Sequence, residues 1–433
     1  MKYQIKKKVY FAFSDDLLHE GHKKILKYAS KYGDVTVGLL SDAAILSYKS
    51  LPHLSYEKRE RLIKNLSTVK RIIKQDTLDY TENLKKIKPD YVVHGDDWKH
   101  GIQKNIRKKV IKCLKKFNGK LIETKYVKNI SETYVKEKKL EIGNTPENRR
   151  PKLKRLINAK NIVRILESHS PLSGLIAEST HLYNKNKFQE FDGMWSSSLT
   201  DSTLRGKPDN QSVDYSSRFI GLNEILDVTT KPLIFDGDNG GRIEHLPFMI
   251  KTLDRLGVSA IILEDKIGLK KNSLFKKQEG VKQDTIKNFC KKIKAAKKAA
   301  TSDEFMVVAR IESFILGKNL KDAMNRAISY SKAGADAIMI HSKENNPKEI
   351  FSFANKFKLS KYYKPMVSVP STYSSTYEKQ LADNGFKIVI YANHLLRASH
   401  PAMTNVAKDI LKNERAFESE KKLSSIKNII KLI

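Results

Sequence analysis

The chain has 433 residues and a formal charge of +34 from 82 basic and 48 acidic side chains, which suggests two or three domains rather than one small fold. A hydrophobic fraction of 40%, with 17 Phe and 18 Tyr, suffices for packed cores and excludes wholesale disorder despite 30% charged residues. No stretch reaches the roughly 18 apolar residues of a membrane span, and the opening MKYQIKKKVYFAF passes into SDDLLHEGH without a cleavage-like segment, so a soluble, cytoplasmic protein without a membrane span is expected.

In chain order, KVYFAFS (8–14) is an apolar run ending in a loop, and GHKKILKYASKYG (21–33) has helical spacing closed by Gly33. DVTVGLLS, VKRIIKQ, DYVVHGDD and GKLIETKYV are further apolar runs separated by helical segments, the alternation of a parallel α/β sheet. EIGNTPENRRPKLKR combines Gly, two prolines and a basic cluster, so a linker is expected over 143–158 between domains 1–142 and 159–433. Beyond it SGLIAES, FDGMWSSS, PLIFDGD, SAIILED, FMVVARIES, AIMIHSK, PMVSVPS and KIVIYAN read as strands with helical segments between them. Eight such units predict a TIM-type (β/α)8 barrel, whose chemistry sits at the C-terminal strand ends. The fold class is therefore α/β throughout: a Rossmann-like first domain and a barrel.

The charge does not single out a nucleic-acid surface. Residues 1–150 carry 35 basic and 18 acidic side chains and the rest 47 and 30, so each part nets +17. An even spread without a nucleic-acid motif reads as a Lys-rich solvated surface, and no dedicated nucleic-acid partner is expected. Cys113 and Cys290 sit alone in Lys-rich helical patterns, so neither a disulfide framework nor a thiolate metal site is indicated.

The barrel strand ends offer Trp195 and Ser197, Asp236 and Asp238, Glu264 and Asp265, Arg310 and Glu312, His341, and Asn393. Asp236, Asp238 and Glu264 are a hard oxygen set suited to Mg²⁺, and without a cation or a partner such as Arg310 they would repel one another. DKIGLKKNSLFKKQEGV (265–281) is too long for a tight turn and suits a lid that brings Lys270 and Asn272 over a substrate. Arg310 can clamp a carboxylate, and His341 and Lys270 can hold a phosphoryl group, which points to a small phosphorylated or phosphonated carboxylic acid.

Over about residues 160–433 the runs GMWSSSL, FDGDNGG, LEDKIGLKKNS, VVARIESF, ADAIMIHSK and YANHLLRAS together resemble the phosphoenolpyruvate mutase family of the isocitrate lyase superfamily. The resemblance implies that Asp236 binds Mg²⁺ directly, with Asp238 and Glu264 acting through water, and that Arg310 and Ser197 take the substrate carboxylate. It assigns Lys270, Asn272 and His341 to the phosphoryl group, Trp195 to the pocket wall, amides near Ser198 and Leu199 to the enolate oxygen, and Asp209 to the reacting centre. The implied reaction moves phosphorus from the oxygen of phosphoenolpyruvate to its methylene carbon. The superfamily's lyases carry Lys-Lys-Cys-Gly-His on the lid, whereas Lys270-Lys271-Asn272-Ser273 has no thiol, which disfavours C–C lyase chemistry. Phosphonopyruvate hydrolase is the nearer alternative, although Asn272 is mutase-like, and Ser198 stands where better-known mutases have glycine.

In the first half, SDDLLHEGHKKIL places His19 and His22 at a helix entrance, where amides and imidazoles can hold a triphosphate; capping and packing is the plainer alternative. With Ser14 and Asp16 before it, Lys49 on the next polar loop and VVHGDDW at a later strand end, the segment of about residues 7–140 resembles the cytidylyltransferase family of the glycerol-3-phosphate type. By that resemblance His19 and His22 bind the CTP phosphates, Lys49 assists, Asp96, Asp97 and Trp98 lie near the nucleotide, and Arg59 and Arg61 face the acceptor. The family's late motif survives as Tyr126 to Thr133, keeping Ser131 and Thr133 but not the arginine, for which Lys125 or Lys128 is a point-charge substitute. A degenerate domain is the alternative.

Together these readings describe a phosphonate-biosynthetic enzyme that makes the C–P bond in one domain and attaches CMP from CTP to a phosphonate in the other. A rival of a different class is a basic protein that binds RNA or a membrane surface on an inactive scaffold. The last stretch, ERAFESEKKLSSIKNIIKLI, is amphipathic; the resemblance implies a final helix exchanged between subunits of a homodimer or homotetramer.

Overall fold

The computed structural model describes residues 6–432 apart from 100–102, 126–131, 185–186, 269 and 274–277. The chain divides into two units, one with residues up to Asn148 together with His181–Glu190, the other with Arg149–Thr180 and Phe191 onward. Among the described residues no helix is long and apolar enough to cross a membrane.

In the first unit β1 (Lys8–Phe13), β2 (Asp34–Leu40), β3 (Val69–Gln75), β4 (Tyr91–Gly95) and β5 (Lys120–Thr124) form a parallel sheet of order β3-β2-β1-β4-β5. Val9, Phe11 and Phe13 pack against Ile25, Leu26 and Ala29 of the helix Glu20–Ser30, while Tyr10 on the other face meets Leu84, Val110 and Leu114. Both faces of the central strands are covered, which is why β1 reads as a continuous apolar run, whereas the edge strands β3 and β5 are more exposed. Strand order reverses beside β1, so the loops after β1 and β4 flank one crevice at the carboxyl ends, where open sheets bind ligands.

The second unit begins with β6 (Val163–Glu167). The strand pair β7 (His181–Asn184) and β8 (Lys187–Glu190), which groups with the first unit, comes next in the chain. Then follow β9 (Gly193–Ser196), β10 (Leu233–Asp236), β11 (Ala260–Glu264), the short pair β12 (Lys266–Ile267) and β13 (Lys282–Gln283), β14 (Met306–Ile311), β15 (Ala337–Ile340), β16 (Met366–Ser368) and β17 (Phe386–Tyr391). Eight of them close a parallel barrel in the order β10-β11-β14-β15-β16-β17-β6-β9. Outward side chains such as Phe235, Ile261, Leu263 and Val307 share a core with Phe289, Ile293, Tyr330 and Phe353 of the surrounding helices. Burying each such side chain contributes about 1.5–3 kcal/mol.

Two expectations change. SGLIAES is not a strand but part of the helix Pro171–Ser179, started by a reciprocal Ser170/Ser173 cap with Pro171 in the first turn; the first barrel strand is the earlier run VRILE. A short apolar run alone does not distinguish the two states, and here the cap decides. Residues 143–158, expected as a linker, contain the helices Pro146–Arg149 and Lys152–Ala159. Leu153, Leu156 and Ile157 of the second are buried, and Arg149 donates to the Leu226 carbonyl at 2.6 Å.

Candidate active sites

At the barrel mouth one cavity is lined by Trp195, Ser197, Ser198, Leu199, Asp209, Asp236, Glu264, Lys270, Asn272, Arg310 and His341, together with Asn393. Of the barrel residues singled out in the sequence, Asp238, Asp265 and Glu312 do not line it: Asp238 pairs with Lys270, Asp265 with Arg326 and Glu312 with Arg310. Closure of the barrel explains the convergence, because eight strand ends project onto one ring.

Asp236 anchors one side. Its carboxylate accepts the Ser198 amide at 3.2 Å, the Ser198 hydroxyl at 2.9 Å and the Asp238 amide at 3.2 Å. Asp238 itself adopts a left-handed conformation at φ +49. The preceding Gly237 has no room for a side chain, since a Cβ would come within 2.6 Å of Ile261. Lys270 donates to Asp209 at 2.7 Å and to the Ser198 hydroxyl, and the Asn272 amide donates to the other Asp209 oxygen at 3.3 Å. The loop that carries Lys270 and Asn272 is tied at its base by β12 and β13.

Across the cavity Arg310 donates to Ser273 at 2.7 Å and to His341 Nδ1 at 3.0 Å, and it pairs with Glu312 and, at 3.5 Å, with Glu264. Ser273 donates to Glu312 at 2.8 Å and accepts from Lys266 at 2.8 Å. Burial and then Arg310 hold the His341 imidazole below its ordinary value, so it is neutral and presents Nδ1 as an acceptor. Lys266 and Arg218 are not named in the sequence reading, and Ser273 is named there without a role. Lys266 and Ser273 adjoin motif residues that were noticed, whereas Arg218 lies mid-helix with no local signal.

Among the described residues six carboxylates (Asp201, Asp209, Asp236, Asp238, Glu264, Glu312) meet four cations held near them (Arg218, Lys266, Lys270, Arg310), and Lys271 also lines the cavity. Burial pushes Glu264 up to about 7 against the pull of Arg310 and Lys266, and burial with Asp236 also raises Asp238. Burial opposes charge on Lys270, but Asp238, Asp236 and Asp209 outweigh it and hold its ammonium above the ordinary range. Among the described residues no three His, Cys, Asp or Glu side chains converge on one point as a closed metal cage. The donors of Asp236, Asp238 and Glu264 are all oxygen, the chemistry that a hard ion such as Mg²⁺ takes.

In the first unit a second cavity is lined by Ser14, Asp15, His22, Tyr48, Lys49, Tyr80, His94 and Gly95 at the ends of β1 and β4. Asp15 joins Lys49 at 2.7 Å and His22 Nε2 at 3.4 Å. Burial opposes its charge, but Lys49 and His22 hold its carboxyl well below the usual range. His19 is half-buried and caps the helix, with Nδ1 accepting the His22 amide at 3.3 Å and its ring stacked on His22 at 3.7 Å. The plainer capping role is thus real at this motif.

Several expected nucleotide residues stand elsewhere. Asp16 is buried and accepts the amides of His53 at 2.7 Å and Leu54 at 3.1 Å, which fixes the loop after β2 instead of facing the cavity. Trp98 is buried beneath His94, rings 3.8 Å apart, and donates to Glu123 at 2.7 Å. Arg59 is buried, donating to the Leu40 carbonyl at 2.9 Å and Asp42 at 3.0 Å, so it is a structural arginine rather than an acceptor contact; Arg61 is exposed. Asp96 is half-buried. Ser131, with most of the late motif, and the side chains of Asp97 and Thr133 lie outside the described residues. Asp15 and His94 were missed: adjacent aspartates look alike in sequence, and only the strand-end geometry says which faces inward.

Residues 153–411 match the family profile described as phosphoenolpyruvate phosphomutase, and residues 14–138 match one described as cytidylyltransferase-like. The phosphoenolpyruvate phosphomutase of Tetrahymena pyriformis is 34% identical over 282 residues, 65% of this chain and 89% of that protein. The phosphonopyruvate hydrolase of Variovorax sp. (strain Pal2) is 32% identical over 284 residues, 65% and 93% of the two chains. The crystal structure of the phosphoenolpyruvate phosphomutase from Streptomyces platensis subsp. rosaceus matches with a TM-score of 0.61 at 32% identity, covering 66% of this chain and 94% of that one. The glycerol-3-phosphate cytidylyltransferase of Bacillus spizizenii is 35% identical over 95 residues, 22% of this chain and 74% of that protein. The chain belongs to the phosphoenolpyruvate phosphomutase family, with a cytidylyltransferase-like domain preceding the barrel.

Proposed function

We propose that the barrel interconverts phosphoenolpyruvate and phosphonopyruvate, and that the first unit transfers CMP from CTP to a phosphonate. The observation that carries the first reading is the single cavity in which Lys270, Asn272, Arg310 and His341 face Asp236 and Glu264, in a barrel of this family and with no thiol on the Lys270–Ser273 run.

In the reaction the P–O bond of the enol phosphate breaks, leaving a pyruvate enolate, and the enolate carbon then bonds phosphorus while its oxygen becomes a ketone. No proton or oxidant is consumed. Arg310 and Ser197 hold the carboxylate, and the amides near Ser198 and Leu199 face the enolate oxygen. Lys270, Asn272 and neutral His341 hold the phosphoryl group, and Asp209 aims Lys270 and Asn272 through the two bonds it receives. Trp195 walls the cavity and helps exclude the water that would divert phosphorus to phosphate. Asp236, Asp238 and Glu264 would hold Mg²⁺, which when bound supplies Lewis-acid stabilisation of charge on the enolate oxygen.

In the first unit the helix entrance at His19 and His22, with Lys49, receives the CTP phosphates, and pyrophosphate leaves as the phosphonate oxygen bonds the α-phosphorus. The same proposal takes both reactions to the cytoplasm and the protein to a homodimer or homotetramer. The helix His394–Asn413 has no buried residue, and Met403, Leu411, Phe417, Ile426 and Ile430 are exposed, which supports a final segment packed on another subunit.

Two assays on the full chain test this reading. Phosphonopyruvate with Mg²⁺ is consumed, and chelating the metal stops it; consumption that ignores both the metal and Asp236→Ala would sink the barrel assignment. CTP with a small phosphonate releases pyrophosphate; no release with any phosphonate in a chemically varied panel would mark the first unit as degenerate.

A further inference from the structure

Arg218 takes no part in the reaction as proposed, yet it is 2% exposed on the helix Tyr215–Val228 and meets three parts of the site at once. Its Nε donates to the Asp201 carboxylate at 2.8 Å and its Nη1 to the Asp236 main-chain oxygen at 2.7 Å, with the Asp238 carboxylate 3.6 Å away. The guanidinium rests on Phe235, 4.2 Å from the ring centroid. One helical turn earlier, Tyr215 donates to the Gly237 oxygen at 2.9 Å. One helix thus grips both carbonyls of the turn that presents Asp236 and Asp238.

Asp201 is the other end of the arrangement. It lies on the helix Ser198–Leu204 and accepts the Ser196 hydroxyl at 3.2 Å. The first residue of that helix, Ser198, donates both its amide and its hydroxyl to Asp236. The contacts close a ring that runs from Asp236 through Ser198 and Asp201 to Arg218 and back to Asp236.

We infer that Arg218, paired with Asp201, is a positioning residue that sets the spacing between the Ser197–Leu199 segment and the carboxylates of Asp236 and Asp238. This rests on the proposed function for what the two segments hold. The arrangement needs a planar fork that donates in two directions at a fixed angle, which an ammonium cannot reproduce, so lysine is not a conservative replacement here. Removing either partner also strands the other as a buried charge.

The test uses the full chain with Mn²⁺ as the probe, bound Mn²⁺ read by electron paramagnetic resonance, beside phosphonopyruvate turnover and thermal melting. In Arg218→Lys, Mn²⁺ affinity and kcat each fall about tenfold or more, while KM moves by less than about threefold. Asp201→Asn shifts the same quantities less, and the double variant is no worse than Arg218→Lys, because the two residues act as one unit. Folded Arg218→Lys with wild-type Mn²⁺ affinity and kcat would overturn the inference, as would a loss confined to KM or losses that simply add. If Arg218→Lys melts below the assay temperature, Asp201→Asn decides by the same readouts. Wild-type protein that binds Mn²⁺ without turnover would reject the proposed reaction while the Mn²⁺ comparison still decides on Arg218, and wild-type protein that binds no Mn²⁺ overturns the inference.

Discussion

The two cavities of this chain are proposed to hold the same kind of ligand, a phosphorylated anion, and are wired in opposite ways. Among the described residues of the barrel mouth carboxylates outnumber cations, and burial lifts Glu264 to about 7, a charge balance that a divalent ion is proposed to complete. In the first unit Asp15, the one carboxylate among the described lining residues, is already paired with Lys49 and lies beside His22, and amides and imidazoles are proposed to face a triphosphate. In the proposed function the barrel adds a metal ion to its own Lys270 and Arg310, whereas the crevice relies on side chains and a helix end alone.

The sharpest way to break this contrast is to remove the charge on each side separately. Asp236→Ala is expected to lower phosphonopyruvate turnover by about a thousandfold or more, because it removes the proposed metal carboxylate and the acceptor of Ser198 together; CTP binding, read by calorimetry, stays as in the wild type. His22→Ala is expected to cost the first unit about a hundredfold in pyrophosphate release. Phosphonopyruvate turnover is unchanged in that variant, and a fall in both activities would contradict the assignment of separate sites.

Smaller effects separate structural residues from ligand-facing ones. Trp98→Ala should destabilise the first unit by about 3–5 kcal/mol, as expected for a buried aromatic ring beneath His94; chemical denaturation checks it, and a variant of wild-type stability with lost CTP binding would return Trp98 to the nucleotide site. The smallest effect concerns acid. The bond from Arg107, helped by Trp98 and opposed by burial, lowers Glu123 from its ordinary 4.5 to about 2. The interaction therefore stabilises the first unit above about pH 4.5 and is lost as pH falls toward about 2. Glu123→Gln should flatten that acid limb in a melting series, and an unchanged limb would remove Glu123 as its cause.

Legibility differed between the two regions for a geometric reason. In the closed barrel a polar residue at the end of an apolar strand has one place to go, so Trp195, Asp236, Glu264, Arg310 and His341 could be read directly from their positions after VVARI-like runs. The open sheet gives no such guarantee. Asp16, Trp98 and Arg59 carry the right chemistry in the right segments, yet each turns away to satisfy a loop amide, a core carboxylate or a strand-end carbonyl. SGLIAES misled because four or five apolar residues fit either state, and the Ser170 cap that settles it lies outside the run. Arg218 was invisible because its partners, Asp201 and the Asp236–Asp238 turn, come from two separate segments that only the folded barrel brings to it.

The central claim is that phosphorus moves within one molecule rather than to water, and phosphorus NMR of the wild-type chain with phosphonopyruvate and Mg²⁺ tests it most directly. The account predicts that the phosphonate signal is replaced by phosphoenolpyruvate, and that Asn272→Ala abolishes the conversion. Appearance of inorganic phosphate with pyruvate from the outset would contradict it and make the barrel a hydrolase.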